Sequence, residues 1–112
     1  MPWEPEFYEE NGIAFVKDFI LAQANGAIAE IIHVLKLLYK FNVTLGPPYV
    51  KKVDKSGLRE LRIKHGTDYY RILYCVYGDK KFKLLHAIVK KTDTLPEPDK
   101  KLAISRMKKL FN

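Results

Sequence analysis

The stretch Gly57–Thr92 reads GLRELRIKHG (57–66), TDYYRILYCVYGDKKF (67–82) and KLLHAIVKKT (83–92), and its reading decides the fold. Three apolar runs are separated by His65-Gly66-Thr67-Asp68 and by Gly78-Asp79-Lys80-Lys81. Connections this short, each with a glycine, predict consecutive antiparallel hairpins, with strands over about Leu58–Lys64, Tyr69–Tyr77 and Phe82–Lys90. In the first strand, alternation puts Arg59, Leu61 and Ile63 on one face and Leu58, Glu60, Arg62 and Lys64 on the other. The second and third strands are apolar at both parities, so a second layer is expected to cover their other face.

The polar positions of these strands are filled largely by cations. Arg62, Arg71, Lys90 and Lys91 sit on or at the ends of apolar segments, where a charged head needs an anion or a carboxylate. Two readings follow: a phosphate site, or a salt-bridged sheet face in which Arg62 pairs with Glu60 or a cross-strand partner.

Working outward, residues 96–111 form an amphipathic pattern through Leu102, Ala103, Arg106, Met107, Leu110 and Phe111. This C-terminal helix is the expected cover for the second face. Upstream, Gly46-Pro47-Pro48 ends a helical region, because consecutive prolines exclude a helix interior, and Tyr49-Val50-Lys51-Lys52-Val53 follows as a short extended piece. Before it, Ile13–Ala24 and about Ala27–Phe41 carry apolar residues at helical spacing, with Asn25-Gly26 as a short connection between two helices of a hairpin. Asn11-Gly12 punctuates the first helix's start. His33 falls off the apolar stripe and reads as a surface residue. The opening segment around Trp3, Phe7 and Tyr8 contains Pro5, which lacks a ladder donor, so it is expected as an edge strand or extended arm.

At 112 residues the chain matches a single domain, and 47% apolar content supports a folded core. No run reaches the roughly 18 apolar residues of a membrane span, and no signal-peptide pattern opens the chain, so no membrane association and a cytoplasmic location are expected. The single Cys75 reads as a small buried apolar residue. Net charge is +7, unevenly spread: residues 1–45 hold six acids and three bases, residues 46–112 seven acids and 17 bases. A positive field over the C-terminal part suits an anionic partner, either nucleic acid or an acidic protein segment.

Walker-type, GxSxG and HExxH signatures are absent, and His33, His65 and His86 fall on different elements, so no metal site and no cofactor are expected. RNA cleavage needs neither. The ribose 2′-hydroxyl is an internal nucleophile that requires positioning, deprotonation and stabilisation of charge on phosphate and leaving oxygen. Arginine offers a planar fork to phosphate oxygens, and a lysine crowded by other cations is disposed to proton transfer. Arg62 and Arg71 are candidate phosphate clamps, and Lys90 and Lys91 candidate proton-transfer groups. A non-catalytic RNA grip would use the same residues.

The succession LGPPYVKKV, GLRELRI, YYRILYCV, LLHAIVKKT and LPEPDKKLAISRMKKLF closely resembles the HigB-like, phage-derived branch of the RelE/ParE toxin superfamily. The resemblance runs from the second helix to the C-terminus. It implies a RelE-like α+β fold: an N-terminal strand, a helical hairpin on a small, mostly antiparallel sheet, and a C-terminal helix. It implies a type II toxin that cleaves mRNA on the ribosome and is silenced by a cognate helix-turn-helix antitoxin. Carried over, the ELR arginine is Arg62, the YRI arginine Arg71, and the pair before threonine Lys90 and Lys91. Lys51 and Lys52 match the basic pair after the GPP turn, with Lys64 and Tyr70 as further RNA contacts; either Tyr69 or Tyr70 is placed to stack on a base. His86, the LLH histidine, reads as structural. A related branch inhibits DNA gyrase instead, and an inactive phage-derived relic would keep the same motifs.

Overall fold

The computed structural model describes residues 3–90 and 94–111. Among these the chain runs β1 (Glu4–Phe7), β2 (Glu9–Glu10), β3 (Ile13–Ala14), α1 (Phe15–Leu21), α2 (Asn25–Phe41), a 3-10 turn (Asn42–Thr44), β4 (Val50–Lys52), β5 (Arg59–His65), β6 (Asp68–Val76), β7 (Lys81–Lys90) and α3 (Glu97–Leu110). The architecture is α+β, as expected, with a five-stranded sheet in the order β1-β7-β6-β5-β4. Its β4 to β7 ladders are antiparallel, and β1 joins β7 in parallel at the far edge. Pro5 sits in that edge strand, where a missing donor is tolerated.

One face of the sheet is sealed by α1 and α2. Val16 and Ile20 of α1 and Ala27, Ile31, Val34 and Leu38 of α2 pack with Leu61, Ile63, Tyr70, Ile72, Tyr74, Phe82, Leu84 and Ala87. The α2 residues recur every three or four positions, so one stripe meets the sheet and His33 faces outward. Aromatic contacts extend this layer: Tyr74 meets Phe82 edge-on at 5.4 Å between centroids, and Phe19 meets Tyr70 at 6.4 Å. The second face holds Tyr8, Leu58, Leu73, Cys75 and Leu85 under Ala103 and Met107 of α3, the cover expected from its two-parity apolar pattern. Burial pushes the Cys75 thiol up to about 11, which keeps it protonated and unreactive.

Two local expectations are corrected. Ile13–Ala14 does not open a helix; it pairs with Glu9–Glu10 around Asn11 (φ 53°) and Gly12 (φ 79°). Positive φ at both central residues is the type I′ hairpin turn that Asn-Gly favours, and α1 therefore starts at Phe15. Likewise Asn25-Gly26 is the first turn of α2 rather than the connection, because Ala24 is already extended and marks the helix start. A Cβ at Gly26 would lie 3.2 Å from the His65 ring, so glycine lets the end of β5 close against α2.

The β6–β7 ladder contains a register shift at Leu73/Tyr74: Leu73 pairs with His86 but Tyr74 with Leu84, leaving Leu85 as the extra residue. A one-residue slip inverts every later side chain. Leu85 and His86 consequently both face α3, and beyond them Ile88 and Lys90 share a face with Arg71 and Tyr69.

Candidate nucleic-acid interface

Three cross-strand rows compose the second face of the sheet. Lys51, Glu60, Leu73 and His86 lie in register, followed by Arg62, Arg71 and Ile88, then by Lys64, Tyr69 and Lys90. Tyr49 extends the middle row: its carbonyl accepts a 2.7 Å hydrogen bond from the Arg62 backbone N–H. The register thus assembles cations from four segments that are up to about 40 residues apart in sequence. Lys51, Lys64 and Lys90 are exposed, and Tyr49 and Tyr69 are half-buried. Lys64 Nζ sits 5.8 Å from the centroid of the Tyr69 ring.

Beneath these groups is a buried ion-pair network. Glu60, 3% exposed, places one carboxylate oxygen 3.3 Å from Arg62 Nε and the other 3.5 Å from Arg71 Nη1. The salt-bridged reading of the cationic strands holds for Arg62, which pairs with Glu60 and keeps 23% of its side chain exposed. Arg71, expected as a phosphate clamp, is 0% exposed. It lies in the same row as Arg62 and turns Nη1 toward the Glu60 carboxylate that both share. Removing Glu60 would take away a carboxylate that both guanidiniums share in a low-dielectric setting.

Arg62 lines two grooves. One, about 560 Å³, runs along the β4 edge between Val43–Pro48 and the basic residues Lys51, Lys52 and Arg59. The other, about 390 Å³, is bounded by Pro48, Tyr49, Lys64 and Tyr69. Among the described lining residues of both, none is acidic.

Not every expected site residue gathers here. Tyr70 pairs with Ile63 and is 7% exposed in the helix-side core, so the stacking surface is available to Tyr69 and not to Tyr70. Lys90 lies across from Tyr69 through the register shift of β7. Lys91 and Thr92 lie outside the described residues. Tyr49 was missed as a site residue; its place directly after Pro47-Pro48 and before Lys51-Lys52 was the available signal.

His86 has a different setting. Its Nε2 is 2.8 Å from Asp99 Oδ1, while Arg106 Nη1 approaches Nδ1 at 3.5 Å and donates to the Leu85 carbonyl at 2.7 Å. These contacts suit an imidazole carrying its proton on Nε2, donating to Asp99 and accepting at Nδ1. The Arg106 guanidinium also lies 3.9 Å from the Phe15 ring centroid. The group fastens α3 to the bulged strand, in keeping with a structural His86.

Fold and groove together define a small basic α+β domain with arginine-lined grooves along a sheet edge. The chain belongs to the family described as Phage derived protein Gp49-like (DUF891), which matches residues 18–108, a RelE/toxin-like family. No curated protein matches the chain significantly. Among the described residues no helix is long and apolar enough to cross a membrane.

Proposed function

We propose that the protein is the toxin of a type II toxin-antitoxin pair and acts as a ribosome-associated endoribonuclease on mRNA, without a metal ion. The observation that supports this most is Arg62, which borders two grooves whose other described charged residues, Lys51, Lys52, Arg59 and Lys64, are all cationic. In this reading Arg62 holds the scissile phosphate and neutralises charge as it builds on the non-bridging oxygens. Lys51, Lys52 and Lys64 carry the flanking backbone, and Lys90 and Lys91 supply charge and proton transfer. The 2′-oxygen loses its proton and attacks phosphorus as the bond to the 5′-oxygen breaks. The products are a 2′,3′-cyclic phosphate and a 5′-hydroxyl end. Arg71 acts through Glu60 as a positioning residue that fixes the direction of Arg62.

The partner that silences the protein is a helix-turn-helix antitoxin that shields these cations. The test is to incubate purified protein with ribosomes programmed with a defined message and map new 5′ ends. Cleavage at discrete sites, lost in Arg62→Gln, supports the proposal. Intact message together with inhibited DNA supercoiling would transfer the protein to the gyrase-directed reading, and unimpaired growth on strong induction would mark an inactive relic.

A further inference from the structure

Within the groove bounded by Pro48, Tyr49, Arg62, Lys64 and Tyr69, we propose a subsite for one nucleobase, stacked on the tyrosines while its attached phosphate rests on Arg62 and Lys64. This rests on the RNA-directed reading above and adds what the site recognises besides charge.

Three features carry it. First, the two rings stand on either side of β5, from β4's approach and from β6, so they bracket the strand that presents both cations. Second, Tyr49 is held in place before any ligand arrives. The Tyr49 N–H donates to the Gly46 carbonyl at 3.0 Å, its carbonyl accepts from Arg62 at 2.7 Å, and its side chain packs against the helix-side core. The residue whose ring would stack and the residue whose guanidinium would bind phosphate are therefore joined by one backbone hydrogen bond. Third, at about 390 Å³ the groove has the dimensions of a small-molecule site and is not a mere dimple. Aromatic faces beside a cationic track are the general requirement for single-stranded nucleic acid, because every base has a face to stack and every linkage a charge to neutralise. An acidic peptide would use the cations but would gain little from the flat rings.

Fluorescence anisotropy with the full-length protein tests this. The probes are an eight-residue 2′-O-methyl oligoribonucleotide, which has no free 2′-hydroxyl to attack, the same backbone made fully abasic, and an oligoglutamate of equal charge. The subsite predicts that the abasic backbone binds roughly 10-fold more weakly than the parent. Tyr49→Leu and Tyr69→Leu should each weaken the parent several-fold and leave the abasic probe unchanged, with Tyr69→Phe restoring parent-like binding. Arg62→Gln should weaken both nucleic acids. Equal binding of parent and abasic probes by the unmutated protein would overturn the base subsite and leave the RNA interface standing. Binding of oligoglutamate with the same tyrosine dependence would overturn it in favour of a protein partner. Failure of both nucleic acids to bind would remove the interface and the subsite together.

Discussion

The second face of the sheet has two halves that use charge in opposite ways. Under α3, cations are matched to structural acceptors: Arg106 to the Leu85 carbonyl and the Phe15 ring, Lys100 to Asp54 at 3.2 Å, and Lys109 to Glu10 at 3.1 Å. Beyond the helix, Lys51, Arg62, Lys64 and Lys90 share the face with Glu60, a buried carboxylate whose oxygens lie near Arg62 and Arg71. Positive charge alone therefore does not mark the candidate site; cations that border an open groove do. The two halves should respond differently to substitution.

The largest effect is expected at the carboxylate that bridges the open half. Glu60→Leu removes the anion facing buried Arg71 and should cost about 3 kcal/mol in chemical denaturation, with activity lost as Arg62 is no longer aimed. A change below about 1 kcal/mol would show that the network contributes little to folding. Next comes Arg62→Gln, with cleavage of ribosome-bound message down roughly 100-fold and stability altered by less than about 1 kcal/mol. Equal losses of stability and activity would erase the distinction between the halves.

In the covered half the ranking reverses. Arg106→Leu deprives the bulged Leu85 carbonyl of its donor and should destabilise the fold by about 2 kcal/mol, while cleavage per folded molecule is preserved at low temperature. The smallest effect concerns pH. Glu10 is held below the usual carboxylate range by the Tyr8 hydroxyl and Lys109, Asp54 by Ser56 and Lys100, and Glu6 by Lys83 and Lys81. A lowered folded-state value means stability that is present above the ordinary value and lost as pH falls through the lowered one. Thermal scans should therefore show Tm declining below about pH 4, and Glu10→Gln should make that acid limb shallower. An unchanged slope would remove Glu10 from the account.

Much of this was legible in the residues. Alternation in β5 separated Leu61 and Ile63 from Arg62, and the glycine turns announced the hairpins, because half-buried strands and tight turns are governed by local geometry. The depth of Arg71 was not legible. Parity assigns its face, but whether a guanidinium reaches solvent depends on what lies over it, and Glu60 is its neighbour only across the ladder. Tyr69 and Tyr70 are adjacent and chemically alike, so their roles separate only when pairing sets Tyr70 opposite Ile63. The shift in β7 had no local marker either, since Leu84, Leu85 and His86 suit either parity. Asn11-Gly12 did carry a hairpin signal, and the helical spacing that follows it concealed the turn.

The extra residue in β7 has a genetic corollary. Deleting the codon for Leu85 would remove the bulge and join Leu84 to His86 in regular alternation, so every later pair of the ladder would be kept and Lys90 would stay beside Tyr69. The bulge therefore serves α3 and not the groove: the deletion would take away the Leu85 side chain beneath the helix and the carbonyl that Arg106 holds.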